Sequence, residues 1–378
     1  MKINNYLICS LLLVYSCTQR KSIPEYNLEK TTESRVINLS EMLTDIRTVR
    51  LETTDETLLG NNIQYLVGDH YIVSIDNDKI VQFTDSGKFV RILAKAGKGP
   101  GEFLRVDAFA LDDLNNILYI NHRGDQKHIS AYDLNTGILS ARFLTGIENI
   151  ISRIDVVNDT TLLIVPRMNK EYNMYYLSTS GIILNGIAPP AAKGIGLETS
   201  IFKLPDFIYY MPKEFDTLYK VTDVKTEPDC LFNVEDRFTF INNETGNFVY
   251  LSGMTSSFII ANKVHARIDL NDDGETFSMN ADKLTKYWID RKDHSVAEIS
   301  GFNNDYFNIK ENRDPWDNYL FTSNNMGYVC YPPVYLKKLI DSTLTYSEPD
   351  KILKDRISTL NDQLKEDDNP VLVVGRLK

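Results

Sequence analysis

The chain has 378 residues and a formal charge of −11, from 41 Lys and Arg against 52 Asp and Glu. Apolar residues at 43% and charged residues at 25% are ordinary for a folded globular protein, which excludes wholesale disorder. The acidic balance, with no Lys/Arg-rich run, argues against a nucleic-acid partner. Tyr and Phe, 21 and 17 residues, tilt the composition toward β structure, because aromatic rings fit pleated, half-buried surfaces.

The chain opens with Lys2 and then a short apolar run from Tyr6 to Tyr15, broken by Ser10. A bilayer span needs about 20 apolar residues, so the run is too short to cross and fits a signal-peptide core instead. Val14-Tyr15-Ser16-Cys17 resembles the bacterial lipobox, in which the Cys is acylated and becomes the new N-terminus. The expectation is a signal peptide over 1–16, lipidation at Cys17, and a polar tether over 17–35. Two lipid signals suffice for a stable membrane anchor, so the membrane is an expected partner. Thr18-Gln19-Arg20-Lys21 lacks the acidic cluster that marks surface export in some gut diderm lipoproteins. An outer-membrane lipoprotein facing the periplasm is expected, with surface exposure left open. Cys230 and Cys330 remain after processing and are expected as buried thiols, since a chain of this size needs no staple.

From Val36 the texture is short strands joined by Asx and Gly turns. Tyr71–Ile75, Lys79–Phe83 and Phe89–Leu93 are separated by Asp76-Asn77-Asp78 and Asp85-Ser86-Gly87. The unit recurs with Ile117–Ile120, His128–Asp133 and Ile138–Phe143, and again with Thr161–Val165, Tyr172–Leu177 and Ile182–Leu184. Its turn glycines Gly87, Gly137 and Gly181 lie 50 and 44 residues apart. A fourth unit falls at Phe207–Tyr210 and Leu218–Val221, and a fifth over Phe248–Asp269 with a turn at Asn271-Asp272-Asp273-Gly274. Ser295–Leu320 and Gly327–Tyr331 imply a sixth. Repeats of this length with short strands predict an all-β, six-bladed propeller of four-stranded antiparallel blades over residues 36–378. Two helical patterns interrupt it, a short one at Val334–Ile340 and one over about 349–365 with Ile352, Leu353, Ile357, Leu360 and Leu364 at helical spacing. The second is expected to pack on the outside. A strand over about 370–377 should close the ring by pairing in a blade that also holds Val36–Leu39 or Ile46–Leu51.

Ala96-Gly97-Lys98-Gly99-Pro100-Gly101-Glu102-Phe103 follows a strand and precedes one, so it is no dinucleotide fingerprint. It looks like the G-x-G-x-G-x-F junction of NHL-type propellers. With Leu51-Glu52-Thr53-Thr54 upstream and Glu366–Val373 at the end, the chain resembles the six-bladed propeller lipoproteins of gut diderm bacteria. That resemblance implies fold and compartment and no catalytic residue.

In a propeller the turns between second and third strands and the crossovers between blades emerge on one face, around the central channel where ligands bind. Lys98, His122, Arg123, Arg167 and Lys213 fall on such loops and are the candidate ligand-binding residues, the cations suiting an anionic ligand. The glycines of the 97–101 loop read as a tight crossover rather than a ligand cradle. No His pair has metal-ligand spacing, Asn271–Glu275 lacks the length of a calcium loop, and there is no G-x-S-x-G elbow. Trp316 reads as packing between blades more than as a sugar platform. No catalytic residue, metal or cofactor is assigned. The expected function is a lipid-anchored, non-catalytic module of the cell envelope that binds a glycan, peptide or envelope protein. The alternative is a periplasmic lyase or hydrolase with a metal at the channel mouth.

Overall fold

The computed structural model describes residues 23–378 apart from 61–62, 100, 168–171, 189–199, 205–206, 213–215, 223–224, 238–244, 271–276, 312–320, 324 and 347–348. Cys17, Lys213, Trp316 and the Asn271–Gly274 turn therefore lie outside the described residues. The N-terminal segment gives β1 (Glu25–Asn27), β2 (Ser34–Asn38), a one-turn helix α1 (Leu39–Met42) and β3 (Leu43–Arg50). Blade one follows with β4 (Gln64–Val67), β5 (Tyr71–Ile75), β6 (Lys79–Thr84) and β7 (Phe89–Lys95). Blade two holds β8 (Arg105–Asp112), β9 (Ile117–Arg123), β10 (His128–Asp133) and β11 (Ile138–Leu144). Blade three holds β12 (Ile151–Asn158), β13 (Thr161–Pro166), β14 (Met174–Ser178) and β15 (Ile183–Ile187). Blade four holds β16 (Ser200–Lys203), β17 (Ile208–Met211), β18 (Thr217–Thr222) and β19 (Lys225–Asn233). Blade five holds β20 (Thr245–Met254), β21 (Phe258–Leu270), β22 (Phe277–Asp290) and β23 (Val296–Asn304), with β24 (Ile309–Glu311) added to β23. Blade six is β25 (Phe321–Ser323), β26 (Met326–Tyr331), β27 (Val371–Leu377) and then β3, in that order. This is a six-bladed propeller of four-stranded antiparallel blades.

The ring closes between the two ends of the chain. β27 pairs antiparallel with β3, from Val371↔Arg50 to Leu377↔Leu43. Of the two closing partners expected, the 46–51 stretch is the one used. Residues 34–38 instead add a parallel strand to blade five, with Ser34 opposite Glu298 and Asn38 opposite Asn303. β1 does the same to blade four, with Glu25 opposite Leu231. The stretch expected as a tether is thus folded onto the propeller from Glu25 onward, because Tyr26 and Leu28 are buried against Phe232 and its neighbours. The sixth unit also differs from expectation: Val296–Asn304 is the fourth strand of blade five, and blade six begins only at Phe321.

The cores lie between blades. One cluster joins Leu66, Val73 and Ile80 of blade one to Leu111, Leu118 and Tyr132 of blade two. Each such side chain, once fully buried, contributes roughly 1.5–3 kcal/mol. The turn glycines show why the period is read so cleanly. Gly87, Gly137 and Gly181 have φ of +89°, +78° and +91°. A Cβ on Gly87 would lie 2.1 Å from the Arg50 carbonyl oxygen, and one on Gly181 would lie 2.4 Å from the Leu144 carbonyl oxygen. Each turn therefore needs glycine twice, for backbone conformation and for contact with the preceding blade.

Between β26 and β27 stand helices α2 (Pro333–Tyr346) and α3 (Lys351–Gln363). Asp350 caps α3 by accepting from the Leu353 amide at 2.8 Å. Ile357 and Leu360 of α3 and Leu336 and Ile340 of α2 are buried with Trp288, Phe307 and Tyr331, across blades five and six. The first helix is twice the expected length because its polar continuation, Asp341 to Tyr346, still forms helix. No helix of the described residues is long and apolar enough to cross a membrane.

Candidate functional site: the central channel

The first strand of each blade is innermost, and β4, β8, β12, β16 and β20 all contribute to the wall of a channel with a volume of about 1400 Å³. Asp76 and Asn77, on the β5–β6 turn, and Arg167, after β13, stand at one mouth with the starts of β8 and β12. Asp69, Asp113 and Arg376 stand at the other, among the turns between first and second strands. This arrangement follows from strands that alternate direction within a blade.

Two neighbouring innermost strands carry the same short motif. Arg105-Val106-Asp107 starts β8 and Arg153-Ile154-Asp155 lies near the start of β12. Arg153 and Asp155, two apart on a regular stretch of strand, share a face, whereas Asp107 sits at a register shift between Val106 and Ala108; in both cases the Arg and the Asp meet among the channel-lining residues. Arg153 forms a fork on Asp155, with Nε 2.6 Å from Oδ2 and Nη2 2.9 Å from Oδ1. Arg105 donates to Asp107 Oδ1 through Nη2 at 2.8 Å and Nε at 3.2 Å. Arg123, from the end of β9, brings its Nη2 to 3.7 Å from the same oxygen. The Asp107 side chain is only 5% exposed, whereas those of Arg105, Arg123 and Arg153 are 53%, 48% and 40% exposed. The Asp107 carboxylate is therefore covered and that of Asp155 mostly so, while the guanidinium groups stay partly exposed to the channel. A guanidinium has five N–H donors; a fork occupies two and leaves the rest free to meet a ligand.

Further down the channel Lys203 donates its Nζ to the Val156 carbonyl oxygen. Burial pushes the Lys203 ammonium below its usual range, against the opposing charges of Asp155 and Asp112. At the far mouth Arg376 of blade six meets Asp69 of blade one at 2.7 Å. The Asp69 amide donates to Asp113 Oδ2 of blade two at 2.8 Å, so the ring is pinned there by polar contacts.

Of the residues singled out from sequence, Arg167 lines the channel and Arg123 reaches the channel residue Asp107. Lys98 is exposed on the crossover between blades one and two and is not among the lining residues. His122 is half-buried on β9, its Nδ1 3.1 Å from the Arg123 carbonyl oxygen, and does not line the channel either. The glycine loop folds on itself: the Gly99 amide donates to Glu102 Oε2 at 2.7 Å and the Gly97 amide to the Phe103 carbonyl at 2.9 Å. Phe103 is buried between blades one and two, and a Cβ on Gly97 would lie 1.9 Å from the Glu102 carboxylate. The geometry is that of a crossover clasp. Among the described residues no three His, Cys, Asp or Glu side chains gather as a metal site. Cys230 and Cys330 sit in blades four and six and are not bridged; burial raises the Cys230 thiol far above its usual range.

A family model described as "Domain of unknown function (DUF4934)" matches residues 23–376. No curated protein matches the chain. A Bacteroides fragilis protein assigned as exported has a solved structure similar to this one, with a TM-score of 0.64 at 15% identity, covering 94% of this chain and 100% of that one. The extracellular domain of a Bacteroides thetaiotaomicron protein assigned as a one-component system gives 0.44 at 12% identity, covering 74% of this chain and 34% of that one.

Proposed function

The chain belongs to the DUF4934 family, and on that footing we propose that it is a non-catalytic, lipid-anchored propeller of the cell envelope that binds an anionic ligand at the arginine-lined mouth of its channel. The single observation that carries this reading is the repeated Arg-x-Asp pair on β8 and β12, a two-oxygen fork at Arg153–Asp155 and a one-oxygen contact at Arg105–Asp107. Each Asp holds its Arg in place, so less side-chain freedom is lost when a ligand arrives, a saving of about 0.5–1.5 kcal/mol per side chain. The exposed guanidinium edges suit the planar geometry of a carboxylate, sulfate or phosphate. Arg123 and Arg167 join Arg105 and Arg153 in this site; Lys98 and His122 are assigned to its outer rim, and Lys213 is kept as a candidate on its sequence position alone. A glycan or peptide bearing such groups is the expected ligand class. Lys2, the apolar run to Tyr15 and Cys17 support export and anchoring, with the chain facing the periplasm of an outer membrane. The exported assignment of the B. fragilis protein agrees with that compartment.

Titration calorimetry with an oligogalacturonide and with its methyl ester tests the reading, because the pair differs in charge and little else. The acid should bind, more weakly as salt rises, and the ester should not. Arg153→Gln should weaken binding of the acid roughly tenfold or more, the worth of a charge-assisted hydrogen bond. Equal binding of acid and ester, or an acid indifferent to Arg153→Gln, would contradict it. So would a failure of this acid, of sulfated glycans and of acidic peptides alike.

A further inference from the structure

The outer edges of the blades are not alike. The edges of blades four and five are covered by the parallel strands β1 and β2. Those of blades two and three end on β11 and β15, which pair on one side only. There Ile138, Leu144, Ile182 and Leu184 are 65%, 56%, 63% and 56% exposed, and Ile183 is 41% exposed. The two edges adjoin: a Cβ on Gly181 would lie 2.4 Å from the Leu144 carbonyl oxygen, and one on Gly146 would lie 3.5 Å from Ile183 Cδ1. Aliphatic side chains scattered singly over a surface are ordinary; a run of them on adjoining strands is not.

Charge is also missing from this edge. Residues 173–188 hold no Asp, Glu, Lys, Arg or His, and residues 134–147 hold only Arg142. Arg142 is itself matched by Asp125 at 2.6 Å. Edge strands exposed to water are normally guarded by charge, so this one is shaped for an apolar neighbour.

The course of the N-terminal segment says which neighbour. It joins the propeller at blade four, next to blade three, where the Leu231 amide donates to the Pro24 carbonyl at 2.9 Å. From Cys17 to Ile23 is six residues, which reach about 20 Å at full extension. An acyl chain on Cys17 therefore keeps the bilayer close to the edge of blade four and its neighbour.

We propose that the outer edge of blades two and three is a bilayer-contacting surface, with Leu144, Ile182 and Leu184 set into the lipid interface so that the ring stands edge-on to the membrane. This rests on the reading of Cys17 as the lipidated residue. Edge-on placement leaves both channel mouths open to the aqueous compartment.

The test uses the full chain, processed in a bacterium that acylates lipobox cysteines, then reconstituted in vesicles of phosphatidylethanolamine and phosphatidylglycerol. Mass spectrometry first reads the acyl chains on Cys17. Nitroxides are placed by Ile182→Cys and Leu184→Cys, with Ile352→Cys on α3 of blade six as control and the parent chain as labelling background. Ile352 is 74% exposed, so all three variants leave the core intact. Labels at 182 and 184 should collide with oxygen several-fold more than with a water-soluble nickel chelate, and the label at 352 should do the reverse. An acylated chain whose 182 and 184 labels match 352 in water access overturns the placement alone. A Cys17 without acyl chains overturns it through its premise. Dipolar broadening between labels on vesicles carrying many copies, with 182 and 184 shielded from both quenchers, assigns the edge to a second copy and also overturns it.

Discussion

Asn369, 2% exposed, directs every polar atom of its side chain at the segment leading into blade one. Its Nδ2 donates to the Glu52 and Thr57 carbonyls at 3.0 Å each, and its Oδ1 accepts from the Leu59 amide at 2.8 Å. Its own amide donates to Thr53 Oγ1 at 2.8 Å. One residue thus ties the approach to the closing strand β27 to the segment between β3 and β4. Asn369→Ala leaves the Thr57 carbonyl and the Leu59 amide without their partner, at about 1–3 kcal/mol for each unsatisfied group, while the Glu52 carbonyl still accepts from Thr57 Oγ1 at 2.8 Å. We expect a loss of roughly 3 kcal/mol in urea unfolding, against near neutrality for a change at the exposed Lys365. Leu51–Thr54 and Glu366–Val373 stand out in the sequence as separate motifs. That they touch is a property of ring closure, which no local pattern encodes.

At the scale of elements, sequence and structure agree best where strands alternate cleanly. The second, third and fourth strands of blades one to three fall where hairpin signals put them, since each is bounded by Asx or Gly turns. The innermost strands escaped. β8 and β12 carry Arg and Asp near their starts, at the channel mouth, which breaks up the apolar pattern of Ala108–Leu111 and of Ile151 and Ile154. Losing them hid Arg105, Asp107, Arg153 and Asp155, although the Arg-x-Asp tripeptide recurring one blade later was a legible signal. β1 and β2 were hidden for another reason. They are short and polar; β1 is held because Tyr26 and Leu28 find a pocket beside blade four, and β2 because Ile37 is buried beside blade five. Lys263 adds an ion pair to Glu29 at 2.9 Å across the same seam. Burial pushes the Tyr26 phenol up to about 12, as expected for a ring enclosed there. Tyr26→Ala should cost roughly 3 kcal/mol, the usual scale for deleting a buried aromatic ring. It should also speed hydrogen exchange at Leu231, whose amide is bonded to Pro24, before exchange in blade one changes. Uniform acceleration across all six blades would contradict a local role for β1.

For the whole molecule, the ring sets the relation between its channel and its outer rim. Blade closure by β3 and β27 fixes the innermost strands, and these bring arginines from blades two and three to one mouth of the channel. The outer strands of the same two blades carry the exposed aliphatic edge. A ligand held in the channel and a membrane held at the rim would then act on opposite sides of the same blades without competing. The fold was legible in the sequence through the 50- and 44-residue glycine spacing, whereas the lipobox-like Cys17 lies outside the described residues. The lining of the channel was not legible, because it depends on which strand of each blade faces inward.

The measurement that tests the central claim most directly is a crystal structure of the protein soaked with the oligogalacturonide. The account places ligand density in the channel, with a carboxylate against the guanidinium groups of Arg105, Arg153 or Arg167 and both Arg–Asp pairs intact. Density for the ligand on the outer surface or over α2 and α3, with only solvent between the arginines, would contradict it.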